Sequence, residues 1–462
     1  MSSIEALQHP LEEITGGGKV ILLNTGAVFT PEDVAMLQAL YSRDPGSIFK
    51  HLETLDKVGS GKFMDSYYIG YGHKSIGDCG TITLFIEGVS MLVAKAIQDS
   101  MLYSGQECST RFLDFSKQSF IDPLGIQDSF MILNKWRALY LKSLDPIREH
   151  LKKQFPMQEG EKESDYQKAI KARSFDIARS LLPAGAATNL SWHGNLRQIR
   201  DRLCYLRNHP LQEVRKVAEA MEKLLIRIYP NSFNNKRYPA SEEYNKQWME
   251  HGYYVRETRN WTREFKLAYV GLDFSLLGSF LPQLHDRPEK TELPKQIAEC
   301  GTLRFEFPLD FGSFRDIQRH RGVVERMPLL TTELGFEPWY LEAMPEEVRI
   351  EVKKALNSFE YQYQYDLQTR FSQDNLQYLI PMGYQVPISV TGDIPALVYL
   401  IELRATPFVH PTLQRRALQM GHTLKHLLCD FGFKLFVDED SFGRFDVRRG
   451  KQDIVEKTTS VL

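Results

Sequence analysis

Two stretches of the chain change their apolar pattern in the same way. Asp78-Cys79-Gly80-Thr81-Ile82 leads into ITLFIEGVSMLVAKAIQ, and Glu299-Cys300-Gly301-Thr302-Leu303 leads into LRFEFPLDFGSFRDIQ. Each begins with a β-branched and aromatic run, which predicts a strand. Each then shifts to apolar spacings of three and four, which predicts a helix ending near Ile97-Gln98 and Ile317-Gln318. A second matched pair lies downstream: LLPAGAATNLSWHGNLRQIRDRLCYLRNHP and LIPMGYQVPISVTGDIPALVYLIELRATPF. The offset between copies is 221 residues at the cysteines, 220 at the glutamines and 198 at Pro183/Pro381. The order of motifs is kept, and the first copy carries 22 more residues between them, since Gln98 to Pro183 is 85 and Gln318 to Pro381 is 63.

Solenoid units run to only about 20–45 residues, so two repeats of this size predict a fused dimer instead. The expected fold is α+β: an antiparallel sheet with packed helices, present twice as a pseudo-dimer. The expected boundaries are 1–233 for the first repeat, 234–261 for a polar, aromatic-bearing connection that packs on a surface, and 262–462 for the second repeat. The polar, basic tail from Ser441 is expected to be a loose extension.

Composition narrows the function class. The chain has 57 Lys+Arg against 59 Asp+Glu, a formal net charge of -2, which argues against a nucleic-acid-gripping surface. No run approaches the roughly 18 apolar residues of a membrane helix, and the N-terminus lacks a signal-peptide pattern, so no membrane partner and a cytoplasmic location are expected. Cys79, Cys108, Cys204, Cys300 and Cys429 include no CxxC pair, so no metal site is expected, and each cysteine reads as a small buried residue.

Arg319-His320-Arg321 stands at the end of the second copy's helix. Side chains about 100° apart around a helix cannot all share one environment. Arginine suits a bidentate grip on phosphate, and histidine can hydrogen-bond a ring. The plainer reading is a solvated helix end favoured by the dipole.

The segment DIQRHR resembles the Arg-His-Arg signature of flavin-dependent thymidylate synthases. Gly72-His73-Lys74-Ser75 resembles that family's Gly-His-x-Ser/Thr element. The run from Ser104 through Glu107, Ser109 and Arg111 to Phe112 resembles its S-x-x-E-x-S-x-R-Y segment, and Asn195-Leu196-Arg197 its N-x-R. LLP before the last element and the Leu206-Arg207 and Leu403-Arg404 pairs after it also fit, and His410 resembles a flavin-side histidine loosely. The chain is most similar to longer, tandem members of the family.

The motifs are divided between the copies. Asp99-Ser100-Met101 stands where the first copy would carry Arg-His-Arg; Leu329 and Thr331 stand where the second would carry Ser and Arg. The resemblance implies one complete composite site instead of two. In it His73, Ser75, Glu107, Asn195, Arg197, Arg319, His320 and Arg321 hold FAD, while Gln318, Arg319, Ser109, Arg111 and Arg404 hold the nucleotide. Arg404 and Arg319 are the implied catalytic residues. The implied reaction is methylation of dUMP to dTMP, with methylenetetrahydrofolate as carbon donor and NADPH as reductant, in a homodimer equivalent to the family's homotetramer. One departure bears on the substrate. The family's nucleotide-binding arginine, six residues after the LP proline, is Asn189 in one copy and Pro387 in the other. Two further readings therefore stand: a diverged flavoenzyme on another pyrimidine nucleotide, and a non-catalytic flavin- or nucleotide-binding protein.

Overall fold

The computed structural model describes residues 7–70, 72–234, 236–254 and 263–439. The tail from Ser441 and residues 255–261 of the expected connection lie outside them. Two compact units emerge: residues 1–123 with 184–256, and residues 124–183 with 257–462.

The first unit carries the sheet β1 (Leu11–Glu13), β2 (Lys19–Leu22), β3 (Thr81–Ser90) and β4 (Ala187–Asn195), in that spatial order. The second carries β5 (Lys266–Leu272), β6 (Gly301–Asp310), β7 (Val324–Arg326) and β8 (Gln385–Asp393), in the order β5-β6-β8-β7. All pairings are antiparallel, and helices pack with both sheets, as the α+β expectation requires. Each long strand feeds a helix as the apolar pattern predicted, Met91–Gln98 after β3 and Phe311–Ile317 after β6.

The step in repeat offset from 221 to 220 has a structural cause. β3 bulges at Gly88, between the Glu87↔Asn189 and Val89↔Thr188 pairs, whereas β6 runs unbroken against β8. A bulge adds one residue and reverses which alternate positions face inward. Ile82, Leu84 and Ile86 are buried before it and Val89 after it, matching Leu303, Phe305, Phe307 and Leu309 of the unbulged copy. Gly88 supplies the φ of +73° that the bulge needs.

The helix starts repeat with their chemistry exchanged. Ser90 donates to Glu213 Oε2 at 2.6 Å in the first unit; at the equivalent place Thr412 Oγ1 donates to Asp310 Oδ1 at 2.6 Å in the second. A hydroxyl–carboxylate pair survives, and both N-cap side chains accept from the helix backbone.

The helices Gln127–Gln154 and Glu163–Ala178, sequence of the first repeat, pack with the second unit. There Trp136 meets Phe359 edge-on at 5.4 Å, and the equivalent prolines of the LP elements, Pro183 and Pro381, are antiparallel bridge partners. Residues 236–254 contain a helix, Pro239–Trp248, tied to the first unit by Arg207–Glu242. The cysteines depart from expectation. All five are free thiols, only Cys300 is buried and Cys429 is exposed, because Cys429 lies in a short surface turn after the last long helix.

Candidate functional site

In the second unit, Arg319-His320-Arg321 follows directly on the Phe311–Ile317 helix, whose C-cap is Gln318. The chain turns so that Gln318 and His320 are buried while Arg319 and Arg321 are exposed, the alternation that adjacent charged residues must adopt. Arg404 is the last residue of the Ile394–Arg404 helix, built on apolar positions from Ile394 to Ile401. Its Nε donates to His320 Nε2 at 2.7 Å, and its Nη2 to the Asp316 carbonyl at 2.8 Å.

This geometry fixes the tautomer of His320. Accepting at Nε2 requires a neutral ring with its proton on Nδ1. Burial and then the Arg404 charge push the imidazole down to about 3, so neutrality is its state near pH 7. Nδ1 has no hydrogen-bond partner among the described residues. Tyr399, five residues before Arg404 and half-exposed, presents its ring edge-on to His320 at 5.9 Å. Sequence reasoning missed both Tyr399 and the Asp316 carbonyl. Tyr399 and Leu403 sit four apart and are the exposed large hydrophobics of that helix, a spacing visible in the sequence although their exposure is not.

In the first unit the matched residues are placed as follows. His73 and Ser75 are exposed around the short turn Lys74–Asp78. Glu107 is buried, accepting from Gln98 Nε2 at 2.7 Å. Ser109 is exposed, its Oγ accepting from the Arg111 backbone at 3.3 Å. Asn195 Oδ1 caps the Leu196–Leu206 helix by accepting from Gln198 N at 2.7 Å, and Arg197 Nε donates to Asp78 at 2.6 Å. The second copy keeps only the cap, where Asp393 accepts from Ala396 N at 2.8 Å. Pro395, at Arg197's place, suits a first helical turn that needs no N–H. His410 belongs to a buried network, with Nδ1 2.9 Å from Thr412 Oγ1 and its ring against Trp339.

One sequence pairing is corrected. The helices Leu196–Leu206 and Ile394–Arg404 have equal length at an offset of 198, so Arg404 corresponds to Leu206, not to Arg207. Leu206 is buried, and Arg207 pairs with Glu222 and Glu242. The first copy instead uses Arg202, one turn earlier, whose Nη2 donates to the Ala96 carbonyl at 2.7 Å, the equivalent of Asp316. The carbonyl anchor is thus served in both copies, but only the second has an arginine as the last residue of the helix.

These residues fit a flavin. Neutral His320 has an unpartnered buried donor at Nδ1, and exposed arginines flank it for anionic groups.

Comparison with known proteins agrees in kind. The family described as thymidylate synthase complementing protein matches residues 30–231. A "UPF0159 protein" of Chlamydia muridarum is 25% identical over 438 residues, covering 83% of this chain and 82% of its own. A "UPF0159 protein Ta1429" of Thermoplasma acidophilum is 24% identical, covering 85% and 92%. A "Flavin-dependent thymidylate synthase" of Thermococcus kodakarensis is 27% identical over 158 residues, covering 33% of this chain and 57% of its own. Residues 30–231 of this chain are thus similar to the thymidylate synthase complementing protein family.

Proposed function

We propose that this protein is a flavin-dependent thymidylate synthase that methylates dUMP to dTMP, taking its carbon from methylenetetrahydrofolate and its electrons from NADPH. The observation that carries the reading is Arg404, held at a helix end by His320 and the Asp316 carbonyl. Bound FAD would supply the hydride chemistry. The chain's own residues do the rest. Arg319, His320 and Arg321, with His73, Ser75, Glu107, Asn195 and Arg197, hold the cofactor. Ser109, Arg111, Gln318 and Arg319 bind the nucleotide. Arg404 sets its guanidinium against the N3 side of the pyrimidine, where negative charge grows as C5 becomes nucleophilic; a fixed donor there favours the transition state over the ground state.

A second reading is another pyrimidine nucleotide, favoured by Asn189 and Pro387. Asn189 is committed to a bulge, and Pro387 lies opposite Pro308 in β8, so neither offers a charge to phosphate.

The test is dUMP binding and dUMP-dependent flavin reoxidation with methylenetetrahydrofolate, after reduction by NADPH. dTMP should form, and Arg111→Ala should mainly weaken nucleotide binding, since a phosphate contact persists throughout the reaction. A protein that holds FAD yet neither binds dUMP nor makes dTMP would leave the second reading in its place.

A further inference from the structure

We propose that His320 is a positioning residue for Arg404, holding the guanidinium in one orientation through its Nε2 lone pair. The inference rests on the reading above only for the ligand that Arg404 meets.

A guanidinium has five N–H donors in a rigid plane. The Nε/Nη2 edge of Arg404 is occupied at both ends, by His320 Nε2 at 2.7 Å and the Asp316 carbonyl at 2.8 Å. Two acceptors on one edge fix the plane as well as the direction. Nη1 makes no hydrogen bond to the described residues, so the Nη1/Nη2 end is the part left for a ligand. That end can donate two parallel bonds to a carbonyl and an adjacent nitrogen anion of a pyrimidine.

The holder is itself constrained. His320 is 5% exposed, with Tyr399 against its ring. The charged groups around it are Arg404 and Asp316, with Arg319 and Arg321 adjacent in sequence and exposed. Only the neutral ring can accept from a cation, and burial beside Arg404 keeps it neutral. The first copy shows the alternative. Arg202 uses the equivalent carbonyl of Ala96, but Ser100 stands in place of His320 and Leu206 in place of Arg404. The histidine and the arginine at the last helical position occur together in one copy and are both absent from the other, as expected of a working pair.

The experiment uses the full chain labelled with ¹⁵N-arginine, without nucleotide. Wild type should show a slowly exchanging Nε–H resonance that disappears in Arg404→Lys. His320→Phe keeps a packed ring but offers no acceptor, and should lose that protection; His320→Gln, with an amide oxygen in reach, should restore much of it. In turnover, His320→Phe should lower kcat by about 10–100-fold, the scale for misplacing a reacting group by about an ångström. KM for the nucleotide should move less than about threefold, and His320→Gln should recover most of the rate. If His320→Phe does not fold, His320→Asn, too short to reach Nε, replaces it. Retained Nε–H protection in the acceptor-less variant overturns the proposal. If wild type does not turn over dUMP, exchange still decides the positioning role and only the thymidylate reading falls.

Discussion

Gly88 N–H donates to the Asn189 side-chain oxygen at 2.9 Å across the β3 bulge. Asn189, which the resemblance puts where a nucleotide-binding arginine would stand, thus serves the bulge as a short side-chain acceptor. An arginine has no acceptor to offer. Asn189→Arg should leave the bulge N–H unpaired, lower stability by about 1–2 kcal/mol, and gain no nucleotide affinity. Chemical denaturation with and without dUMP would show it. A variant that binds dUMP more tightly at unchanged stability would mean that the position remains open to phosphate.

Gly88→Ala probes the same bulge from the backbone. Its φ of +73° is disfavoured for L-residues, and an added Cβ would lie 3.1 Å from the Gly18 Cα, a backbone atom that cannot swing aside. A loss of about 1–3 kcal/mol is expected, without change in the absorbance of bound flavin. Wild-type stability in this variant would contradict the bulge geometry.

Arg207 and Arg404 resemble each other in sequence, yet their substitution should do opposite things. Arg207 is largely buried between Glu222 and Glu242, so Arg207→Leu takes the cation from Glu242 and leaves Glu222 with Arg237 alone, and should cost about 1–3 kcal/mol with little effect on kcat. Arg404→Ala should keep the fold and lower turnover by about 10²–10³-fold. Thermal melts and single-turnover kinetics on both variants separate the roles. A fall in turnover for Arg207→Leu as large as that for Arg404→Ala would place Arg207 in the site.

The repeat, the strand-to-helix transitions and the antiparallel α+β class were legible because they rest on local apolar periodicity. The bulge was legible as a one-residue step in offset, though not as a bulge, since a single glycine in an apolar run does not say where pairing slips. The correspondence of Arg207 with Arg404 was misread because a Leu-Arg pair recurs one residue out of register. Only helices of equal length, Leu196–Leu206 and Ile394–Arg404, decide the register. The packing of 124–183 with the second unit was hidden, because chain order does not determine which core an amphipathic helix covers. The His320–Arg404 bond spans 84 residues, and no local pattern encodes it.

That bond gives the protein an acid-sensitive element whose sign can be worked out. His320 titrates at about 3 when folded, against an ordinary 6.5. Above about pH 6.5 the ring is neutral in both states and contributes no pH dependence. Below it the unfolded chain takes up a proton that the folded chain refuses, so stability falls with pH down to about 3, at up to about 1.4 kcal/mol per unit. His209, fully buried and also pushed down by burial, adds a parallel loss, so total acid sensitivity does not isolate His320. His320→Gln does, because it removes one titrating group and leaves His209. Between pH 7 and 4.5 the variant should lose about 2–3 kcal/mol less than wild type, measured by urea denaturation at each pH. If the two proteins lose stability in parallel across that range, His320 is taking up its proton in the folded state, and Nε2 is not the acceptor that Arg404 needs.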